Sequence, residues 1–167
     1  TTPYTSVKTN DWNNVGKTRV FYASNERLTA ESVAAIVNEV GPDCIFLNSV
    51  FGTPVVKFLT ARRKKSVGII PVVISPTGNL AKGVLVQKRL KKKLFLAIAK
   101  ILGLYNGLIW KPSSELESAE IRSVFGSGNT MMIAPDLTPR SILPEYSFDQ
   151  KLPKQSGSVR FIFLSRI

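Results

Sequence analysis

Four short polar clusters each follow an apolar run: Asn48-Ser49, Ser75 to Asn79, Ser113-Ser114 and Pro135-Asp136. In open parallel sheets, ligands sit outside the carboxyl ends of the strands, so hydroxyls and amides at those ends are candidates for binding a polar ligand. Each cluster alone also reads as ordinary turn chemistry; together on one edge they would form a polar cleft. The longest, "SPTGNLAKG" (75–83), leaves an apolar run and enters a basic one. A loop between a strand and a helix is where backbone N–H groups take up anions. Gly78 and Gly83 have the spacing of a phosphate-binding loop, but Val84-Leu85 stand where that motif needs Lys-Ser/Thr. This excludes ATP hydrolysis by the loop. The chain has no histidine, which removes Ser-His and Cys-His pairs and His-ligated metals. Acids are few, 11 in all. Near a strand end stand only Glu115 and Asp136, with no paired carboxylates for acid–base work. A metalloenzyme or a triad hydrolase is therefore not expected, and no cofactor is called for.

Charge is more informative. The net charge is +12, from 23 basic and 11 acidic residues. From Cys44 to Ser114 there is no acid, and that stretch carries thirteen basic residues. They cluster in "ARRKK" (61–65) and "KRLKKK" (88–93). Such clusters are either solvated helix faces or a surface for an anionic partner: a phosphate-bearing substrate, an acidic membrane face or nucleic acid. Nucleic acid ranks last, because most aromatics fall in expected strands or on apolar helix faces rather than on a stacking surface. A helix with leucines on one side and lysines on the other suits a bilayer interface. The residues expected to bind a membrane or other anion are Lys88, Arg89, Lys91, Lys92 and Lys93. The apolar segment "LFLAIAKILGLYNGLIW" is no span, since Lys100, Gly103 and Asn106-Gly107 interrupt it. The lone Cys44 allows no internal disulfide and suits a reducing cytosol. The polar start "TTPYTSVKTNDW" carries no signal-peptide pattern. A cytoplasmic protein, peripheral at the inner face of the cell membrane, is expected.

The elements that must hold these clusters alternate along the chain. A length of 167 residues suits one domain with a real core. "TRVFYAS" (18–24) reads as a β-rich run. "LTAESVAAIVNEVG" reads as a helix capped by Thr29, with Val33, Ile36, Val37 and Val40 on one face and Gly41-Pro42 as its stop. "CIFLNSV" has the length and continuity of a parallel strand buried on both faces. A helix over "TPVVKFLTARRKK" follows, then a strand over "VGIIPVVIS" whose Pro71 must sit at its start or at a bulge. Residues 84–105 read as one long helix, with Leu90, Leu94, Ile98 (or Ala97), Ile101 and Tyr105 recurring at steps of three and four and Asn106 or Gly107 at its end. "LIWKPSS" is a strand, "SELESAEIRSVFG" a helix with a Ser114–Glu117 capping box, and "TMMIAPDL" a strand. Residues 137–157 carry three prolines and no periodicity, as a linker does, and "VRFIFLSRI" reads as a last strand. The alternation predicts an α/β, Rossmann-like three-layer sandwich around a mainly parallel sheet.

Four motifs add a family resemblance. "PDCIFLNSVF", "SPTGNLAKGVLVQKRLKKKLFLAIAKILGLY", "SSELESAEIRSVFG" and "RFIFLSRI" resemble, in order and spacing, the amino-terminal half of a bacterial family 4 glycosyltransferase. The resemblance implies half of a GT-B fold, two Rossmann-like domains around a cleft. It implies a retaining, metal-independent transfer of a sugar from a nucleotide-sugar donor to a cell-surface polysaccharide or a lipid-linked acceptor. Residues 1–157 would then be a partial acceptor-binding domain and 158–167 the first strand of a truncated donor-binding domain. The family's opening strand, with its glycine-rich loop, would precede Thr1. Asn48, Ser49, Thr77, Gly78, Asn79 and Lys82 would line the acceptor site, and Arg166 would grip the donor diphosphate. The family pattern has Pro-Arg-Gly-Glu where this chain has Pro76-Thr77-Gly78-Asn79, His-Ala-Thr-Ser where it has Lys111-Pro112-Ser113-Ser114, and Asn-Leu-Pro where it has Asp136-Leu137-Thr138. The loop thus offers amide and hydroxyl groups in place of two charged side chains. The resemblance further implies that the piece alone is inactive, and that the missing strand leaves unpaired sheet edges which residues 159–165 would fill. The rival expectation is a basic α/β binding module for nucleic acid or anionic lipid.

Overall fold

The structure, a computed structural model, describes residues 7–87 and 89–136. The linker 137–157, the closing strand with its edge-filling role, Arg166 and Lys88 lie outside the described residues. A hairpin of β1 (Trp12–Val15) and β2 (Thr18–Phe21) comes first. Then follow α1 (Ala30–Val40), β3 (Ile45–Asn48), α2 (Thr53–Arg63), β4 (Val72–Ser75), α3 (Lys82–Val86), α4 (Arg89–Ile101), β5 (Ile109–Trp110), α5 (Glu115–Phe125) and β6 (Thr130–Met131). Strands β3 to β6 form one four-stranded sheet in chain order, every neighbouring pair parallel. The expected α/β class with a parallel sheet is what the chain adopts.

The hairpin departs from expectation. The β-rich run at 18–24 does not join the parallel sheet; it pairs antiparallel with Trp12–Val15. Val15 faces Thr18 across a two-residue turn, and Gly16 supplies the positive φ of 58° that so tight a turn requires. Trp12 ties the hairpin to α1 through its Nε1, which donates to the Glu39 carboxylate at 3.3 Å.

The helix starts follow local chemistry. Thr29 accepts from Ser32 N at 3.1 Å and the Ser32 hydroxyl accepts from Thr29 N at 3.0 Å, a reciprocal capping box. On α1, Ala30 and Ala34 are buried, Val33 and Val37 pack against the core, and Val40 is exposed. The apolar face is therefore rotated from the one the larger side chains suggest. At α5, Ser114 accepts from Glu117 N at 3.3 Å, so half of the expected box forms. The Glu117 carboxylate goes elsewhere, as described below.

The expected helix 84–105 is two helices. Gln87 is extended (φ −68°, ψ 125°) and separates α3 from α4. Lys92 Nζ reaches back to donate to the Val84 carbonyl at 2.6 Å, supplying a partner near the end of α3. Helix α4 stops before Asn106, because Gly103 turns left-handed at φ 61°. Leu104 N then donates to Ala99 O and Gly103 N to Lys100 O, both at 2.9 Å, which is a Schellman closure.

The core lies on one face of the sheet. Leu47, Val72, Ile74 and Trp110 are buried there with Phe58, Leu59, Leu108 and Ile121. Tyr105, Trp110 and Phe125 stack, with ring centroids 4.8 to 5.8 Å apart. The other face is open. Phe46, Val73, Ile109 and Thr130 are register partners across the four strands. Phe46 is 60% exposed, Thr130 is exposed, and Val73 and Ile109 are half-buried. Among the described residues strand β3 is thus an edge strand covered on one face, not a strand buried on both. A third layer over this row is not seen among the described residues.

Candidate functional site

Because the four strands are parallel and adjacent, their carboxyl ends form one rim, as the spacing of the polar clusters implies. The loops along it are cross-linked by their own side chains. Asn79 Oδ1 accepts from Ser49 Oγ at 2.7 Å and from Val50 N at 2.8 Å, tying the β4 loop to the β3 loop. Ser49 Oγ in turn accepts from Phe51 N (3.2 Å) and Gly52 N (3.1 Å), satisfying amides ahead of α2. Ser49 itself is left-handed at φ 97°, and Thr77 at φ 50°. Both are non-glycine residues in a conformation that costs about 1–3 kcal/mol, sustained by the surrounding bonds.

Glu117, unnoticed as a site residue in the sequence, is the centre of the rim. It is 5% exposed. Its Oε1 accepts from Gly78 N at 2.7 Å. Its Oε2 accepts from Ser113 N at 2.7 Å and from Ser113 Oγ at 3.1 Å. One carboxylate at the start of α5 therefore clasps the loops after β4 and β5. The anion that the "SPTGNLAKG" loop was expected to receive is the protein's own. A carboxylate three residues after a capping serine was the available signal, but its reach to Gly78, 39 residues away, has no local trace.

The expected acceptor residues thus divide. Ser49, Gly78 and Asn79 are engaged internally, although Asn79 Nδ2 has no partner among the described residues. Asn48 and Thr77 are exposed at the rim. Lys82 is exposed on α3 and lines a cleft of about 330 Å³ between α3 and α4. Lys111, at the end of β5, pairs with Asp136 after β6. A second cavity of about 400 Å³ lies at the opposite, amino edge of β5 and β6, lined by Lys100, Tyr105, Asn106 and Phe125. At the inner edge of this region Tyr105 donates its hydroxyl to the Val50 carbonyl at 2.8 Å, and burial pushes its pKa well above the ordinary 10.0.

The two basic clusters behave differently. In the first, Arg62 donates to the Asn106 carbonyl at 2.9 Å and Arg63 to the Leu102 carbonyl. These guanidiniums satisfy carbonyls at the end of α4, where positive charge is favourable. Lys64 pairs with Glu31 at 3.0 Å. That cluster is largely structural. In the second, Arg89, Lys91 and Lys93 are exposed and pair with no carboxylate among the described residues. Lys92 is half-buried, tied to Val84 O and lying 5.5 Å from the Phe51 ring. It is not a free surface cation.

Compared with known proteins, the chain matches no family model, no curated protein and no solved structure. Among the described residues no group of three His, Cys, Asp or Glu is placed to hold a metal ion. None of their helices is long and apolar enough to cross a membrane.

Proposed function

We propose that the chain is the acceptor side of a retaining glycosyltransferase of the GT-B type. The enzyme takes a sugar from a nucleotide-sugar and adds it to a cell-surface glycan or lipid-linked acceptor. The observation that carries this reading is the rim. The polar clusters at Ser75–Asn79, Ser113-Ser114 and Pro135-Asp136 fall at adjacent carboxyl ends of one parallel sheet, where open α/β sheets bind their ligands. In this reading Asn48, Thr77, Lys82 and the Asn79 amide face the acceptor hydroxyls, while Ser49 and Glu117 hold the loops that present them. No metal is required, and the nucleotide-sugar is held by a second Rossmann-like half with Arg166 at its entry.

The test is a screen of nucleotide-sugars against glycan and lipid-linked acceptors with the full-length protein, read by product mass. The expected result is addition of one sugar, with at least tenfold slower transfer in Asn48→Trp and unchanged donor binding. The isolated 167-residue chain transfers nothing. If no donor yields product with the full-length protein, the assignment fails. If Asn48→Trp transfers normally, the rim is not the acceptor side.

A further inference from the structure

Helix α4 has two apolar faces. Leu96 and Ala99 point into the core. At 3.6 residues per turn, Leu90, Leu94, Ile98 and Ile101 fall within about 80° of arc on the opposite side. They are exposed by 83%, 64%, 46% and 84% respectively. Val86 on α3, 67% exposed, lines the neighbouring cleft. Four large apolar side chains in an unbroken outward stripe are not the scattered exposure of an ordinary soluble surface. The stripe is flanked by cations: Arg89, Lys93 and Lys100 fall on one side of it and Lys91 on the other. No acid occurs anywhere in the chain between Cys44 and Ser114.

The cleft between α3 and α4 lies on the flank of the stripe that carries Arg89 and Lys93. Its floor is apolar, from Leu85, Val86 and Leu96, and its rim carries Lys82, Arg89 and Lys93. Lys92 also lines the cleft, with its ammonium held on the Val84 carbonyl, which ties α3 to α4. A floor of hydrocarbon under a ring of ammonium and guanidinium groups is complementary to a phosphate ester carrying an apolar tail.

We propose that α3 and α4 form a docking surface for an anionic bilayer. The Leu90–Ile101 stripe enters the interface, and one lipid phosphate seats in the α3–α4 cleft between Lys82, Arg89 and Lys93. The bilayer contact of the stripe, Arg89 and Lys93 stands independently of the glycosyltransferase reading; only Lys82, in the cleft, is shared with it. Anionic leaflets attract each nearby cation, while the apolar stripe supplies attraction that salt does not screen.

Vesicle sedimentation tests it. The chain binds phosphatidylglycerol-containing vesicles at least tenfold more tightly than pure phosphatidylcholine vesicles. The double variant Leu94→Glu/Ile98→Glu replaces outward side chains only, keeps its circular dichroism, and loses at least tenfold in binding. Arg89→Glu/Lys93→Glu does the same. Lys17→Glu, in the hairpin turn away from α4, changes binding less than twofold. For the cleft, a short-chain soluble phosphatidic acid shifts the backbone resonances of α3 and α4, and Lys82→Ala weakens it at least threefold. Equal binding to neutral and anionic vesicles would overturn the proposal. So would a Lys17→Glu loss as large as that of Arg89→Glu/Lys93→Glu, since net charge rather than this face would then be the cause. Inorganic phosphate binding as tightly as the lipid would remove the role of the apolar floor. A DNA duplex or RNA bound through α4 more tightly than the vesicles would reassign the surface to nucleic acid.

Discussion

Replacing Glu117 by alanine removes the clasp between the loops after β4 and β5, and the cost can be worked from its bonds. Two backbone amides, Gly78 N and Ser113 N, lose an ionised acceptor at 2.7 Å. A hydrogen bond to a charged group contributes about 1.5–3 kcal/mol. Gly78 is exposed, so its amide recovers a water and the lower figure applies; Ser113 is half-buried and recovers less. The Ser113 hydroxyl, at 3.1 Å, rotates to another acceptor and adds little. The first turn of α5 also loses a negative charge worth about 0.5 kcal/mol. Relief of the carboxylate's own desolvation offsets part of the sum. The net expectation is a loss of about 3 kcal/mol, seen in urea as a lower midpoint with unchanged slope. Glu117→Gln keeps one acceptor oxygen but turns an amide nitrogen toward a backbone N–H, so about 2 kcal/mol is expected. A loss below about 1 kcal/mol in Glu117→Ala would refute the idea that this carboxylate holds the rim together.

Asn79→Ala removes the acceptor shared by Ser49 Oγ and Val50 N. It should cost about 1–2 kcal/mol in urea unfolding, and quicken amide exchange at Val50 with little change in α5. Tyr105 predicts alkaline behaviour. Its folded pKa lies above the ordinary 10.0 because of burial, so the folded state favours the neutral phenol. The stability this contributes is complete below pH 10 and is lost as pH rises from there toward the folded value. Tyr105→Phe should cost about 1 kcal/mol at neutral pH, through the lost bond to Val50 O. It should also flatten the fall in stability above pH 10, as thermal melts across that range would record. An unchanged alkaline slope would contradict the assigned cause.

What was legible in the sequence follows the range of the interactions concerned. Helices α1, α2 and α5 were readable because their signals are local: Thr29 with Ser32, Pro54 in the first turn of α2, Ser114 and the stops at Gly41 and Gly126. The rim was readable because alternation of strand and helix carries parallel order with it. The hairpin was obscured because Trp12-Asn13-Asn14-Val15 is half polar, and its turn, Gly16-Lys17, is not among the stronger turn pairs. The break at Gln87 carries no proline. Its local traces are Gly83 and the β-branched Val84 and Val86, whose helix penalties are small. An apolar run cannot reveal which faces are covered, so "CIFLNSV" suggested a strand buried on both faces while Phe46 stands open. The Glu117 clasp and the Arg62 and Arg63 bonds to the end of α4 span 39 to 44 residues. They depend on packing that no local pattern announces.

The two tryptophans sit in the two separate sheets, and this makes the chain its own pair of spectroscopic reporters. Trp110 is fully enclosed against Tyr105 and Phe125, and its Nε1 has no hydrogen-bond partner among the described residues. Trp12 lies at the surface under the Arg19 guanidinium, 4.7 Å from its ring centre, with its Nε1 on Glu39. Emission from a dry, apolar cage and from a solvated ring beside charges differ in colour. Single-tryptophan variants Trp12→Phe and Trp110→Phe therefore follow the parallel sheet and the hairpin one at a time. Coincident urea transitions mean that the β1–β2 hairpin belongs to the same cooperative unit as the sheet. An earlier transition at Trp12 means that the hairpin is a separately melting flap, held to α1 by little more than that one indole.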